Sequence, residues 1–262
     1  MFSLSALAAP KAELWERWTT HDAKSRATID HKTWDGLLKK YITPAESDLN
    51  RFGYGAVSPA DKRLLELYLT ALQRTEIDRY NRNEQRAFWI NLYNAATIKV
   101  VLDHYPVASI RDIKLGKKSV FGGGGPWSSK FLKVQDQDLS LDEIEHRILR
   151  PIWKDALIHY TVNCASVGCP NLADQAYAAN NFKALAETGA RSYINSLRGA
   201  RVAKGKLYVS SIYVWFKSDF GGTDAAVLKH LRQYAKPALM KELEGITRIG
   251  GDQYDWSLNA AK

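Results

Sequence analysis

The chain has 262 residues, 45% of them hydrophobic and 25% charged, and carries a formal net charge of +9. Such a composition supports a sizeable core, and the lack of any fixed-period repeat excludes solenoids and propellers. The positive charge attracts anions in general, but Lys and Arg are scattered and no readout motif is present, so nucleic-acid binding is not expected.

In chain order, Met1 to Ala9 is apolar and rich in small residues, contains Ala-x-Ala, and gives way abruptly to charged sequence. It resembles the tail of a secretory signal without its basic start, so export, to the periplasm or beyond, is expected. No apolar run is long enough to cross a bilayer. No linker or block of like charge divides the remainder, which predicts one globular domain over 10–262. Apolar residues at three- and four-residue spacing predict helices over Ala12–Thr20, Lys32–Tyr41 and Pro59–Gln73, the last opened by Ser58-Pro59. Asn83 is expected to cap a long helix from Glu84 to about His104, ended by Pro106.

Between Lys114 and Lys133 the pattern breaks, and Gly122–Pro126 predicts a loop. It lacks the Gly-Lys-Ser/Thr that would follow in a phosphate-binding loop. Ser140 and Glu143 form a capping box opening a helix that ends near Arg150-Pro151. The period then changes: Ala156–Asn163 reads as a strand, and Lys206–Ser211 as another, paired with Ala200–Lys204 through Gly205. Helices are expected again over Phe182–Leu197 and Thr223–Tyr234. Helices first and short strands later predict an α+β fold, its helical N-terminal half packed on a small, mainly antiparallel sheet.

The long helix is apolar around most of its circumference, so Glu84, Asn91 and Asn94 need buried partners. Tying the helix to loops and forming a site are both open to them. The two cysteines, Cys164 and Cys169, flank Ser166, Val167 and Gly168. Two thiols at this spacing make neither a Cys-x-x-Cys redox motif nor an ordinary zinc site, so no metal and no cofactor are expected. Three readings stay open: a short-loop disulfide, a nucleophile activated by a nearby imidazole, or buried apolar packing. On a regular strand His159 and Asn163 would face away from Cys164, so contact between His159 and Cys164 requires a turn at Asn163. His21, His31, His104, His146 and His230 read as scaffold. Over Val209–Gly221 an aromatic cluster with Trp215 carries Lys217 and Asp219 and reads either as core or as a pocket wall.

At these residues the sequence resembles the bacterial domain-of-unknown-function family 547. The resemblance rests on Ala87–Ala95, Ile144–Pro151, Asn163–Ser166 with Cys169-Pro170, and Trp215-Phe216 with Asp219-Phe220, and spans roughly residues 80 to 235. It implies a distant relation to papain-like or transglutaminase-like thiol folds. That analogy would make Cys164 the nucleophile, His159 the base, and Glu84 or Asn91 the orienting group. Papain-like chains, however, carry the cysteine far upstream of the histidine. The expected function is Cys/His-dependent acyl transfer, as a hydrolase or amidase acting on peptide-like or thiol-containing small molecules, with Asn91 or local backbone donors holding the oxyanion. The alternative is a non-catalytic envelope module binding a small anionic or thiol ligand such as glutathione, with Arg150 or Lys217 pairing its carboxylate. Asn94, Asn163, Ser166, Trp215 and Asp219 complete the candidate binding set.

Overall fold

The computed structural model describes residues 10–43, 48–115 and 125–261. The signal-like segment 1–9 and Gly122, Gly123 and Gly124 of the glycine run lie outside the described residues. Helices α1 (Lys32–Tyr41) and α2 (Pro59–Gln73) follow the spacing of their apolar residues, and Ser58 caps α2 by accepting from the Asp61 backbone. Between them, the short antiparallel strands β1 (Ile42–Thr43) and β2 (Arg51–Phe52) pair. Helix α3 (Arg82–His104) begins two residues before the expected start, because Asn81, rather than Asn83, accepts from the Asn83 and Glu84 backbones. From Glu84 to Leu102 every residue of α3 is buried except Arg86 and Lys99, which makes it the central rod of the larger apolar core.

After α3, β3 (Leu132–Val134) and β4 (Gln137–Leu139) form a hairpin. The Ser140 and Glu143 capping box then opens α4 (Leu141–Glu143), which widens into a π turn over Ile144–Leu149 and continues as α5 (Arg150–Trp153). Pro151 explains part of this irregularity. Proline has no N–H to give the carbonyl four residues back, and that carbonyl, of Arg147, instead accepts from the Trp15 N–H at 3.0 Å. Glu13 N–H fills the neighbouring carbonyl of His146. This pairing holds the N-terminal segment extended, so the helix expected over Ala12–Thr20 shrinks to a single 3-10 turn, Glu16–Thr19.

A second correction concerns the expected strand at Ala156–Asn163. Residues Ala156–Tyr160 form a 3-10 helix, begun by the Asp155 side chain accepting from Leu157. Beyond it come α6 (Phe182–Ile194), the hairpin β5 (Ala200–Ala203) and β6 (Lys206–Ser210), α7 (Ile212–Trp215), α8 (Asp224–Tyr234), α9 (Pro237–Glu242) and β7 (Ile249–Gln253). The fold is α+β, and its sheets are small. In the three-stranded sheet β5 pairs antiparallel with β6, and β7 adds to the other edge of β6 in parallel. A second apolar cluster, containing Tyr193, Tyr213, Phe220 and Leu231, joins this sheet to α6 and α8.

The chain then returns through the molecule. Leu258 N–H donates to Ala108, Asn259 N–H to Ala165, and Ala261 N–H to Phe52. These bonds lay the C-terminal segment directly against the loop that carries the cysteines. Among the described residues no helix is long and apolar enough to cross a membrane.

Candidate functional site around Cys164

The chain does turn at Asn163. Its side-chain oxygen accepts from the Ala165 N–H at 2.9 Å, and Ala165 takes the left-handed φ of +59°, a conformation that non-glycine residues hold only when their surroundings enforce it. Those surroundings come from three directions. Helix α3 supplies Asn94, which donates to the Thr161 carbonyl and accepts from the Asn163 N–H, both at 2.8 Å. The C-terminal segment supplies Asn259, whose side chain donates to Asn163, together with carbonyls of Ser257 and Asp255 that accept from Val167 and Gly168. Arg198 donates to the carbonyls of Val167 and Cys169. The close approach of the C-terminal segment requires Gly168, where a Cβ would stand 2.7 Å from the Asp255 nitrogen and 2.9 Å from the Tyr254 ring.

This packing gathers polar groups around one sulfur. Cys164 is a partly exposed residue, and its Sγ lies 3.1 Å from Ser166 Oγ, 3.0 Å from the Tyr254 hydroxyl and 3.0 Å from Cys169 Sγ. Ser166 Oγ and the Tyr254 hydroxyl are themselves 2.9 Å apart. Burial raises the Cys164 thiol, but hydrogen bonds from Cys169, Ser166 and Tyr254, and from the Ser166 backbone, outweigh it and bring the group down to about 7. Donors aimed at sulfur favour the thiolate over the thiol. Cys169 is buried and is pushed well up, first by burial and then by the neighbouring Cys164. Burial also raises Tyr254, which keeps its proton as a donor.

His159 belongs to a different network. Its Nε2 lies 2.8 Å from Asp219 Oδ2, to which Arg150 Nε also donates at 2.6 Å. Because a carboxylate only accepts, this contact assigns the proton to Nε2. The imidazole stacks on Phe216, and Arg150 reaches on to His146 Nδ1 at 2.9 Å. Burial lowers His159 despite the pull of Asp219, while Asp219 itself, raised by burial, is held far below the usual carboxylate range by His159 and Arg150. Among the described residues no hydrogen bond joins His159 to Cys164; the sulfur's neighbours are the hydroxyls and the second thiol.

The other expected site residues are placed as follows. Glu84 accepts from the Ile29 N–H at the start of α3. Asn91 is occupied on both faces by the backbone of Tyr177, donating to its carbonyl at 2.8 Å and accepting from its N–H at 3.1 Å. Asn94, Asn163 and Ser166 are brought to the cysteine loop. Lys217 pairs with Asp224 at 2.6 Å. Trp215 packs on Tyr254, with ring centroids 4.9 Å apart, and both meet Trp256, so an aromatic wall flanks the sulfur.

Two groups escaped the sequence reading. Tyr254 gave no signal, since it stands alone in a polar stretch ninety positions from Cys164. Glu145 sits in the π turn, partly buried, and is pushed up to about 7, first by burial and then by the charges of Asp142 and Cys164, with Arg150 and the Tyr93 hydroxyl opposing. Single π turns gather at functional sites, a cue not visible in the residue pattern. On the far side of Arg150 a cleft of about 740 Å³ is lined by Arg82, Arg150, Lys154, Asp155, Ser218 and Asp219, but not by Cys164. Among the described residues no group of three or more His, Cys, Asp or Glu is placed to hold a metal ion.

Residues 77–194 match the family model described as "Protein of unknown function, DUF547", a range that includes α3, the π turn and both cysteines. No curated protein and no solved structure matches the chain.

Proposed function

We propose that this chain, whose residues 77–194 match the DUF547 family model, is a cysteine-dependent acyl-transfer enzyme. It is a hydrolase or amidase acting on peptide-like or thiol-containing small molecules, in an exported setting. The observation that carries the reading is the set of donors on Cys164: Ser166, Tyr254 and Cys169 surround the sulfur of a partly exposed residue. A thiol brought to about 7 is half ionised at neutral pH and needs no imidazole to remove its proton. Cys164 adds to the substrate carbonyl, and the Tyr254 hydroxyl donates to the oxygen that becomes negative. The carbon–nitrogen or carbon–sulfur bond then breaks, and the leaving group departs with a proton from Glu145, whose carboxyl is matched to that task at neutral pH. Water cleaves the thioester, its oxygen going to the acyl carbon and one of its protons back to Glu145, which releases a carboxylic acid and restores the Cys164 thiolate. His159, held by Asp219 and Arg150, is in this reading a buried brace beneath the aromatic wall.

A second reading, a binding module for a small anionic ligand, is favoured by the cleft with Arg82, Arg150 and Lys154 on its walls. One experiment separates the two. The full chain is incubated with activated esters, aminoacyl anilides and γ-glutamyl peptides, quenched in acid and weighed by mass spectrometry. The enzyme reading expects an acyl adduct on the peptide carrying Cys164, and its disappearance together with turnover in Cys164→Ala. Turnover that survives Cys164→Ala sinks it, as does calorimetric binding of the peptides with neither adduct nor turnover.

A further inference from the structure

Acyl transfer uses Cys169 only as a donor to Cys164 and leaves its own sulfur chemistry idle. The two sulfurs are 3.0 Å apart, and the Cys164 N–H also points at Cys169 Sγ, at 3.1 Å. A disulfide bond of roughly 2.0 Å would form with only about 1 Å of travel. Both cysteines are free thiols here.

We propose that Cys164 and Cys169 are a dithiol couple that exchanges with small external disulfides, Cys164 attacking and Cys169 resolving. This goes beyond the acyl-transfer reading and shares with it only the attacking sulfur. The two thiols are unequal in the way such exchange requires. Cys164 is partly exposed and readily ionised, whereas Cys169 is buried behind it. In the first step the Cys164 thiolate attacks one sulfur of the external disulfide. That S–S bond breaks, a mixed disulfide forms on Cys164, and one thiolate leaves and takes a proton from solvent. In the second step Cys169 attacks Cys164 Sγ, forming the internal bond and expelling the second thiolate, which takes up the proton that Cys169 gives up. The balance is one external disulfide reduced to two thiols and two protein thiols oxidised to one disulfide.

The order of steps follows from the local electrostatics. Cys169 is raised first by burial and then by the charge on Cys164, and conversion of Cys164 to a mixed disulfide removes that charge. Burial continues to hold Cys169 up, but the part of its shift that comes from Cys164 is lost once the first step is complete, so attack is easier after that step than before it. The left-handed Ala165 and the closely packed Gly168 fix the loop between them, so resolution needs no rearrangement of the chain. The substrate class is a small disulfide with negative groups, of which oxidised glutathione is the probe, drawn by the net charge of +9.

The test is to incubate the native, reduced full chain with oxidised glutathione, trap with an alkylating agent, and weigh the intact protein while counting free thiols. Wild type should lose both thiols and retain no glutathione. Cys169→Ser should stop with one glutathionyl group on Cys164, and Cys164→Ser should take up none. Wild type that keeps both thiols, or that carries a lasting adduct like the Cys169→Ser variant, overturns the couple. The wild-type result alone decides the matter if a variant fails to fold. Neither outcome depends on whether an acyl substrate is turned over, so this proposal and the acyl-transfer reading fail separately.

Discussion

A thiolate is stabilised by the donors it can collect, and Cys164 collects them from its own loop and from the C-terminal segment. A hydrogen bond to a charged group is worth about 1.5–3 kcal/mol, and one pKa unit corresponds to about 1.4 kcal/mol, so losing one donor raises the thiol by about one to two units. The midpoint of iodoacetamide alkylation at Cys164 is expected near 7 in wild type, and in Tyr254→Phe it should rise to about 8 or above. A midpoint that stays in place would show that the hydroxyl 3.0 Å from the sulfur does not hold the thiolate. The local half of this arrangement was legible in the sequence, because Cys164, Ser166 and Cys169 share one short stretch. The other half was not, since only the parallel addition of β7 and the return of the C-terminal segment bring Tyr254 across. The imidazole expected beside the sulfur illustrates the same limit: His159 is five positions away in sequence, yet its direction is set by Asp219, sixty positions further on.

Helix α3 acts on the site through two asparagines, and they divide the work. Asn94 clamps the backbone on either side of the turn, at Thr161 and Asn163, whereas Asn91 clamps only Tyr177. Replacing either by alanine leaves buried backbone groups unpartnered, at a cost of about 1–3 kcal/mol, which urea titration measures. Asn94→Ala should in addition raise the alkylation midpoint of Cys164, because the turn that aims the donors loosens, while Asn91→Ala should leave that midpoint unchanged. Equal shifts in both variants would mean that α3 stiffens the whole region without positioning the turn. Elements whose pattern rests on their own residues were readable: α1, α2, α8 and the Gly205 hairpin formed where they were expected to within a residue, and α6 began at Phe182 as expected but ends at Ile194, three residues early. One failure has a local cause that outweighed the residue pattern, and another has a distant one. The segment before the cysteines contains the apolar and β-branched residues of a strand, but the Asp155 cap turns it into a 3-10 helix. Strand β7 has the sequence Ile-Gly-Gly-Asp-Gln, with no alternation to read, and exists because the edge of β6 is open to it.

At the scale of the whole molecule, burial of titratable groups makes stability depend on pH, and the terms have opposite signs. Four histidines are kept neutral: burial pushes His31 and His230 down to about 4, takes His146 well below its ordinary value, and lowers His159 despite Asp219. The unfolded chain protonates each near 6.5, so acidification from that point favours unfolding. Two carboxyls work the other way. Burial raises Asp142 to about 6 and Glu145 to about 7, so between about 4 and those values the folded chain holds protons that the unfolded chain has released, and acidification favours folding. The three histidines held near 4 or lower outnumber the two carboxyls, and His159 works in the same direction, so unfolding near pH 5 takes up at least about one proton and stability falls by roughly 1.4 kcal/mol or more per pH unit. Asp219, held low in the fold, adds its own loss only below about 4. The urea midpoint should therefore fall between pH 7 and pH 5. The double variant Asp142→Asn, Glu145→Gln should steepen that fall by removing the opposing pair, and His31→Gln with His230→Gln should flatten it. A midpoint constant across this range, or one unaffected by the carboxyl substitutions, would show that these groups titrate in the folded chain as freely as in the unfolded one.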